Sequence, residues 1–284
     1  MDASDAAIRS WSRDKLELLR EYLQAYSVIM RRQKETWLRS YSYIDAFAGV
    51  GQYMDADSQQ YIDGSPLVAL RCDPPFDEYR FIEVSRSRLE NLRRRVQSEF
   101  AERRVLFHQD NANEVLRDQV AHQITYRDHQ RGFVFLDPYG LQVDFQTIRR
   151  LAESKAFDIF VNFSVMGINR ILERTQLPDT HTAGLLTRVM GDADWAADLY
   201  VTQRGLFEGE EQTRRARLDP ALVADQYLQR IRQLFRFVSE PVLMRNSREA
   251  PLYSLFLASH NEAAVRITND IFRRYRRQRA QPGS

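Results

Sequence analysis

Tyr41-Ser42-Tyr43-Ile44-Asp45-Ala46-Phe47-Ala48-Gly49-Val50-Gly51 is the stretch around which the rest of the chain is read. Residues 42–47 form a short run of aromatic and apolar side chains, which predicts a buried strand. The run leads straight into Ala48 and Gly49, where two glycines, 49 and 51, let the backbone turn sharply and bring its amides close to a ligand. Asp45 falls near the carboxyl end of the strand, the edge at which open α/β sheets bind small molecules. A carboxylate at that edge suits a ligand with an amino group and a positive centre better than a pyrophosphate. It therefore favours S-adenosylmethionine (SAM) over a dinucleotide.

Upstream, residues 14–34 place Leu16, Leu19, Leu23, Tyr26 and Met30 at helical spacing. Downstream, 52–62 is polar and lacks a period, and reads as a mobile loop over the ligand edge. Gly64-Ser65-Pro66 reads as a helix start with Ser65 as N-cap and Pro66 in the first helical position. Further strands are expected at 79–84, 105–108, 133–136 and 158–163, with helices at 86–100, 114–125 and, capped by Asp144, up to 154. Alternation at this spacing means a parallel sheet with right-handed crossovers. After Val165 the rhythm breaks: helical pieces at 169–174, 182–190, 193–201 and 222–234 surround a polar segment, 205–217. Strand character returns at 235–238 and 252–258, before a helix at 262–277. The expected fold is α/β and Rossmann-like, with an N-terminal helical segment over 1–40. Residues 41–284 form the α/β domain and carry a helical insertion over 166–234.

Composition narrows the function classes. Hydrophobic residues make up 43% and charged residues 28%, an ordinary globular mixture. No apolar run approaches the roughly 18 residues of a membrane span, and the first residues lack a signal-peptide pattern, so a cytoplasmic location with no membrane partner is expected. Cys72 is the single cysteine, which excludes an internal disulfide and a multi-cysteine metal site. Histidines 108, 122, 129, 181 and 260 show no metal-ligand spacing, and no metal is expected. The net charge is only +2, yet all but three of the 41 basic residues are arginine. Coding bias accounts for that as readily as phosphate contact, for which the candidates are the clusters at 93–95, 214–215 and 273–277.

Polar features recur at the carboxyl ends of successive predicted strands: Asp45 with Gly49 and Gly51, Glu83, Asp110-Asn111, Asp137-Pro138-Tyr139 and Asn162. Glu83 can grip two ribose hydroxyls through its two oxygens, or merely support the helix that Ser85 caps. Asp110 and Asn111 can hydrogen-bond an adenine edge. The distance from Gly51 to Glu83 exceeds the roughly 20 residues of a dinucleotide fingerprint, and Met54 stands where a third glycine is wanted, which weakens the nicotinamide reading. Two Asp-Pro boxes compete as acceptor sites. Asp73-Pro74-Pro75-Phe76 follows a helix and reads as a helix-terminating turn. Asp137-Pro138-Tyr139 follows a buried strand, where Asp137 and the Pro138 carbonyl can accept both hydrogens of an amine. That aligns the nitrogen lone pair, and Tyr139 offers a face for a planar base. The bland alternative is a β-turn with Tyr139 packed in the core.

Ile44–Gly51, Gly64-Ser65-Pro66, Phe81-Ile82-Glu83, Phe135–Gly140 and the preceding Lys15-Leu16…Tyr22-Leu23 helix together resemble the three-Cys-motif partner family, a bacterial and phage group with a class I SAM-dependent methyltransferase-like fold. The resemblance covers residues 13–165. It implies that Asp45, Phe47, Gly49, Gly51 and Glu83 contact SAM, and that Asp137, Pro138 and Tyr139 face the acceptor. It also implies a radical-SAM-type partner protein carrying the three-cysteine motif. The expected function is a SAM-dependent methyltransferase acting on an exocyclic amine of a nucleic-acid base, RNA or DNA. The alternatives are a SAM-binding subunit that acts only with that partner, and transfer to a peptide or small molecule. The single proline of the 137–139 box departs from the two-proline pattern of amino-methylating enzymes, which leaves the acceptor atom open.

Overall fold

The computed structural model describes residues 10–55, 59–172, 177–204, 211–215, 220–246 and 250–280. Eight strands form the central sheet: β1 (Ser40–Asp45), β2 (Glu78–Ile82), β3 (Val105–His108), β4 (Gln130–Leu136), β5 (Phe157–Phe163), β6 (Phe237–Val238), β7 (Val242–Arg245) and β8 (Pro251–Ser259). Their order is β6-β8-β5-β4-β1-β2-β3, with β7 also paired to β8. The five strands from β3 across to β5 run parallel. Strand β8 is antiparallel to β5, and β6 and β7 are antiparallel to β8. This is a Rossmann-like, mostly parallel α/β fold. Strand order reverses between neighbours β1 and β4, so a crevice opens beyond their carboxyl ends.

The period-2 alternation of the strands sorts the side chains by type as well as by face. One face of the sheet presents Tyr41, Tyr43, Tyr79, Phe81, Phe133, Phe135 and Phe160, all buried. The other presents Ile44, Ile82, Val134, Leu136, Ile159 and Val161. Rings on the aromatic face stack laterally, Tyr43 on Phe133 at 5.9 Å with 14° between planes. Helix α1 (Ser10–Gln33) covers this face and sets Tyr22 5.9 Å from Phe160. It shares that side with α2 (Ser65–Leu70), α3 (Arg86–Glu99) and α10 (Glu262–Ala280). Each fully buried aromatic contributes on the order of 2–3 kcal/mol, so α1 belongs to the core that holds the sheet.

The aliphatic face is covered by α4 (112–123, π-helical over Val115–Val120), α5 (Phe145–Ser154), α6 (Val165–Ile171), α7 (Thr180–Met190), α8 (Trp195–Leu199) and α9 (Pro220–Leu234). Tyr227 of α9 stacks on Phe163 of β5, centroids 3.9 Å apart and planes 6° from parallel. The segment that breaks the strand–helix rhythm therefore packs on the same sheet.

Three local expectations are corrected and one strand is added. Residues 52–62 are not an aperiodic loop: Gln52–Met54 pairs antiparallel with Tyr61–Asp63. Strands of three residues are too short to show a period. The expected helix at 193–201 stops at Leu199, and Tyr200–Arg204 forms a hairpin with Glu211–Arg215, so the insertion is not wholly helical. The polar segment 205–217 lies partly outside the described residues, as do 173–174. Strand β7 was not expected from the sequence. Gly64, not Ser65, is the N-cap of α2, because the Ser65 hydroxyl bonds Asp45 instead.

Candidate active site

A cleft of about 990 Å³ opens at the carboxyl ends of β1, β2, β3 and β4. Its floor is set by the turn after β1. Gly49 and Gly51 adopt φ of +62° and +83°, a region that side chains with a Cβ resist. A Cβ on Gly49 would also lie 2.3 Å from the Tyr53 hydroxyl. Gly49 lines the cleft; Gly51 does not, and its carbonyl instead accepts from Gly64 N at 2.7 Å. Phe47 lines the cleft, whereas Asp45 lies beneath it, fully buried. Asp45 Oδ2 accepts from the Tyr43 hydroxyl at 3.0 Å and Oδ1 from Phe47 N at 3.2 Å. Burial pushes the Asp45 carboxyl up to about 6, against the pull of the Ser65, Tyr43 and Phe47 donors. Asp45 and Gly51 thus shape the turn from below and are not placed to touch a ligand in the cleft.

Glu83 follows β2 and lines the cleft while only 6% exposed. Its Oε2 accepts from Gly49 N at 3.1 Å and its Oε1 from Ser85 N at 2.8 Å. Glu83 thus braces two loops, and each of its oxygens keeps a further acceptor site. The next residue, Val84, is 71% exposed and lines the same wall, an apolar surface beside a carboxylate. Asp110 and Asn111 follow β3 and also line the cleft. Each is engaged locally: Asp110 Oδ1 accepts from Asn111 N, and Asn111 Oδ1 from Asn113 N as the cap of α4.

On the far side, Asp137 continues β4 on the aromatic face, in step with Phe133 and Phe135, and turns toward α1. There Lys15 Nζ meets its Oδ2 at 2.5 Å, while Asn162 Nδ2 of β5 donates to its Oδ1 at 2.7 Å. The Asp137 side chain keeps 23% of its surface and Lys15 only 9%. Asn162 Oδ1 is buried without a hydrogen-bond partner among the described residues. Pro138 is buried and its carbonyl accepts from Gly140 N at 2.9 Å. Tyr139 is not packed in the core: it is 95% exposed at the rim, its amide donating to Gln142 Oε1. Asp73 to Phe76 lies at the opposite end of the sheet, where Pro75 O accepts from the Tyr41 hydroxyl, away from the cleft.

Several wall residues were not read from the sequence. Ser12, Lys15 and Leu16 of α1, Tyr53 of the 52–63 hairpin and Tyr253 of β8 all line the cleft. Nothing local marks them, because Lys15 and Asp137 are 122 positions apart. Asn113 ties the two walls of the cleft, its Nδ2 donating to Gln142 O and its Oδ1 accepting from Asp144 N and Thr147. The hairpin and α1 are clipped together by Arg13 and Asp55, 2.8 Å apart.

Among the described residues, five of the clustered arginines are paired with carboxylates. Arg93 and Arg95 pair with Glu90 and Glu99, and Arg273, Arg274 and Arg276 with Asp270, Glu21 and Glu240. These carboxylates lie one helical turn away, on a facing helix or, for Glu240, in the loop between β6 and β7. The side chains of Arg214 and Arg215 lie outside the described residues. Arg88 and Arg188 do line the cleft, Arg188 paired with Asp144 at 2.8 Å. Among the described residues, no group of three or more His, Cys, Asp or Glu side chains is placed to hold a metal ion. No described helix is long and apolar enough to cross a membrane.

No family model matches the sequence, and no curated protein matches it. Solved structures resemble it only remotely. Protein LPL1258 from Legionella pneumophila is 10% identical, with a TM-score of 0.49 over 92% of each chain. Trm1 from Pyrococcus horikoshii, solved in complex with S-adenosyl-L-methionine, is 13% identical with a TM-score of 0.44, over 95% of this chain and 60% of that one. A S-adenosylmethionine-dependent methyltransferase from Clostridium acetobutylicum is 13% identical with a TM-score of 0.34, over 84% of this chain and 91% of that one.

Proposed function

We propose that this chain is a SAM-dependent methyltransferase acting on an exocyclic amine of a nucleic-acid base. The observation that carries the reading is the placement of Asp137. A partly exposed carboxylate, held from two sides by Lys15 and Asn162, faces the same cleft that Glu83 and the Gly49 turn line. The cleft fits the cofactor on its own chemistry: an acidic side chain with spare acceptor sites, an exposed valine beside it, and a backbone turn where a Cβ would be strained and crowded. Glu83 would hold the ribose hydroxyls, Asp110 and Asn111 the adenine edge, and Phe47 and Gly49 the remainder. When bound, SAM supplies a methyl group made electrophilic by the sulfonium to which it is attached.

The chain's own task is then alignment, which can contribute several kcal/mol to lowering a barrier. Each Asp137 oxygen retains an acceptor site after its bond to Lys15 or Asn162, so the pair can take the two hydrogens of an amino group. The Pro138 carbonyl has a second lone pair to add. Tyr139, free at the rim, offers a face on which a flipped-out or single-stranded base can stack.

The test is transfer of labelled methyl from SAM to RNA, DNA and protein fractions by the purified chain. Label should enter nucleic acid, and Asp137→Asn should lower the rate at least about 100-fold with SAM affinity unchanged. Label in protein alone would remove the nucleic-acid acceptor. A second reading draws on the same free Tyr139: a SAM-binding subunit that acts only with a radical-SAM-type partner docked on that rim. Methylation by the chain alone excludes it.

A further inference from the structure

We propose that Lys15 restricts the acceptor to an uncharged nitrogen, the conjugated amine of a base, and shuts out protonated alkyl amines such as a lysine side chain. The inference rests on the methyl-transfer reading above and assigns Lys15 as its specificity-determining residue. Lys15 stands in the second turn of α1, nearly buried, and lines the cleft beside Asp137. A carboxylate facing a cleft by itself would attract ammonium groups. With Lys15 Nζ at 2.5 Å the pair has no net charge left to attract one, while its spare acceptor sites remain for neutral N–H donors. An incoming ammonium would therefore find at the pair little of the attraction that a lone carboxylate exerts. At an effective dielectric constant near 20, losing that attraction at contact distance weakens binding by roughly 100-fold or more.

The reaction needs the same distinction. The nitrogen lone pair forms the new N–C bond while the C–S bond breaks with its electron pair going to sulfur. The nitrogen then sheds one N–H proton to water. An ammonium has no lone pair to offer until it has lost a proton. A neutral conjugated amine needs only to be turned so that its lone pair faces the methyl carbon, which hydrogen bonds to Asp137 accomplish.

The full-length chain is assayed with SAM, a mixed-sequence single-stranded RNA and a lysine-rich peptide, using the wild type, Lys15→Met and Lys15→Arg. Calorimetry with SAM runs in parallel. Wild type should methylate RNA and neither methylate nor be inhibited by the peptide. Lys15→Met should lose about 10-fold or more in kcat on RNA with SAM affinity within about 3-fold of wild type, and the peptide should become a competitive inhibitor or substrate. Lys15→Arg, which keeps the charge, should restore the discrimination. A Lys15→Met chain that methylates RNA normally and still ignores the peptide overturns the inference and leaves methyl transfer standing. Wild type that binds no SAM overturns both. Should Lys15→Met fail to fold, the wild type decides: peptide methylation or competitive inhibition overturns the proposal, and indifference to peptide together with discrimination kept in Lys15→Arg supports it.

Discussion

Asp45 is fully buried and Asp158 partly so, and desolvation acts on both carboxyls in the same direction. Asp158 of β5 accepts a hydrogen bond from Ser259, yet desolvation raises its carboxyl to about 6, with Arg131 opposing. Asp45 beneath the cleft is raised to about 6 as well. A folded pKa above the unfolded value near 3.8 means that the folded chain binds the proton more tightly. The contribution is therefore full below about pH 4 and is lost as pH rises through 6. A shift of about two units corresponds to roughly 3 kcal/mol for one group. Asp158 takes no part in the cleft, so Asp158→Asn isolates the effect: its amide oxygen can still accept from Ser259. The variant should be more stable than wild type above pH 6, with the gap closing toward pH 4 in urea titrations. A gap independent of pH across that window would contradict the account. Neither aspartate announced its burial. Asp158 and Asp45 both sit in strands recognisable from their apolar neighbours, but the sequence does not tell which face of a strand is sealed.

At the level of elements, the cleft is a turn, a hairpin and a helix arranged around strand ends. The strand ending at Asp45 and the glycine turn after it are legible because apolar density and paired glycines are local signals. The hairpin is not, and neither is the wall built from α1: the 14–34 period predicts a helix but not which sheet face receives it. The Asp137 box was separable from its competitor at 73–76 because one follows a buried strand and the other a helix. The turn itself makes a sharp prediction. Gly49 combines φ of +62° with a Tyr53 hydroxyl 2.3 Å from where a Cβ would stand. Gly49→Ala should cost about 1–2 kcal/mol from the left-handed backbone alone, with the clash adding to it. In a Tyr53→Phe background only the clash should be relieved, so part of the loss persists in urea unfolding. Full recovery there would mean that the backbone conformation carries no cost.

Across the whole molecule, the two terminal helices meet. Tyr275 of α10 donates to Asp14 at 2.9 Å and Arg274 pairs with Glu21 at 2.7 Å, joining α10 to α1. Helix α1 thus does three things at once: it covers the aromatic face with Leu19, Tyr22, Leu23 and Tyr26, anchors α10, and delivers Lys15 to Asp137. The residues most informative in the sequence, those at strand ends, do converge on one edge of the sheet. Their division into cleft-lining and supporting groups emerges only from packing: Glu83, Asp110, Asn111 and Asp137 line the cleft, whereas Asp45 and Gly51 hold the turn from below. Of the clustered arginines, prominent in one dimension, Arg93, Arg95, Arg273, Arg274 and Arg276 are paired with neighbouring carboxylates. All of this bears on one claim, that the cleft holds SAM, and titration calorimetry of the full chain with SAM measures it most directly. The account predicts saturable binding at one site per chain, weakened by Glu83→Ala. No heat with SAM at high micromolar concentration, together with tight binding of NAD, would contradict it.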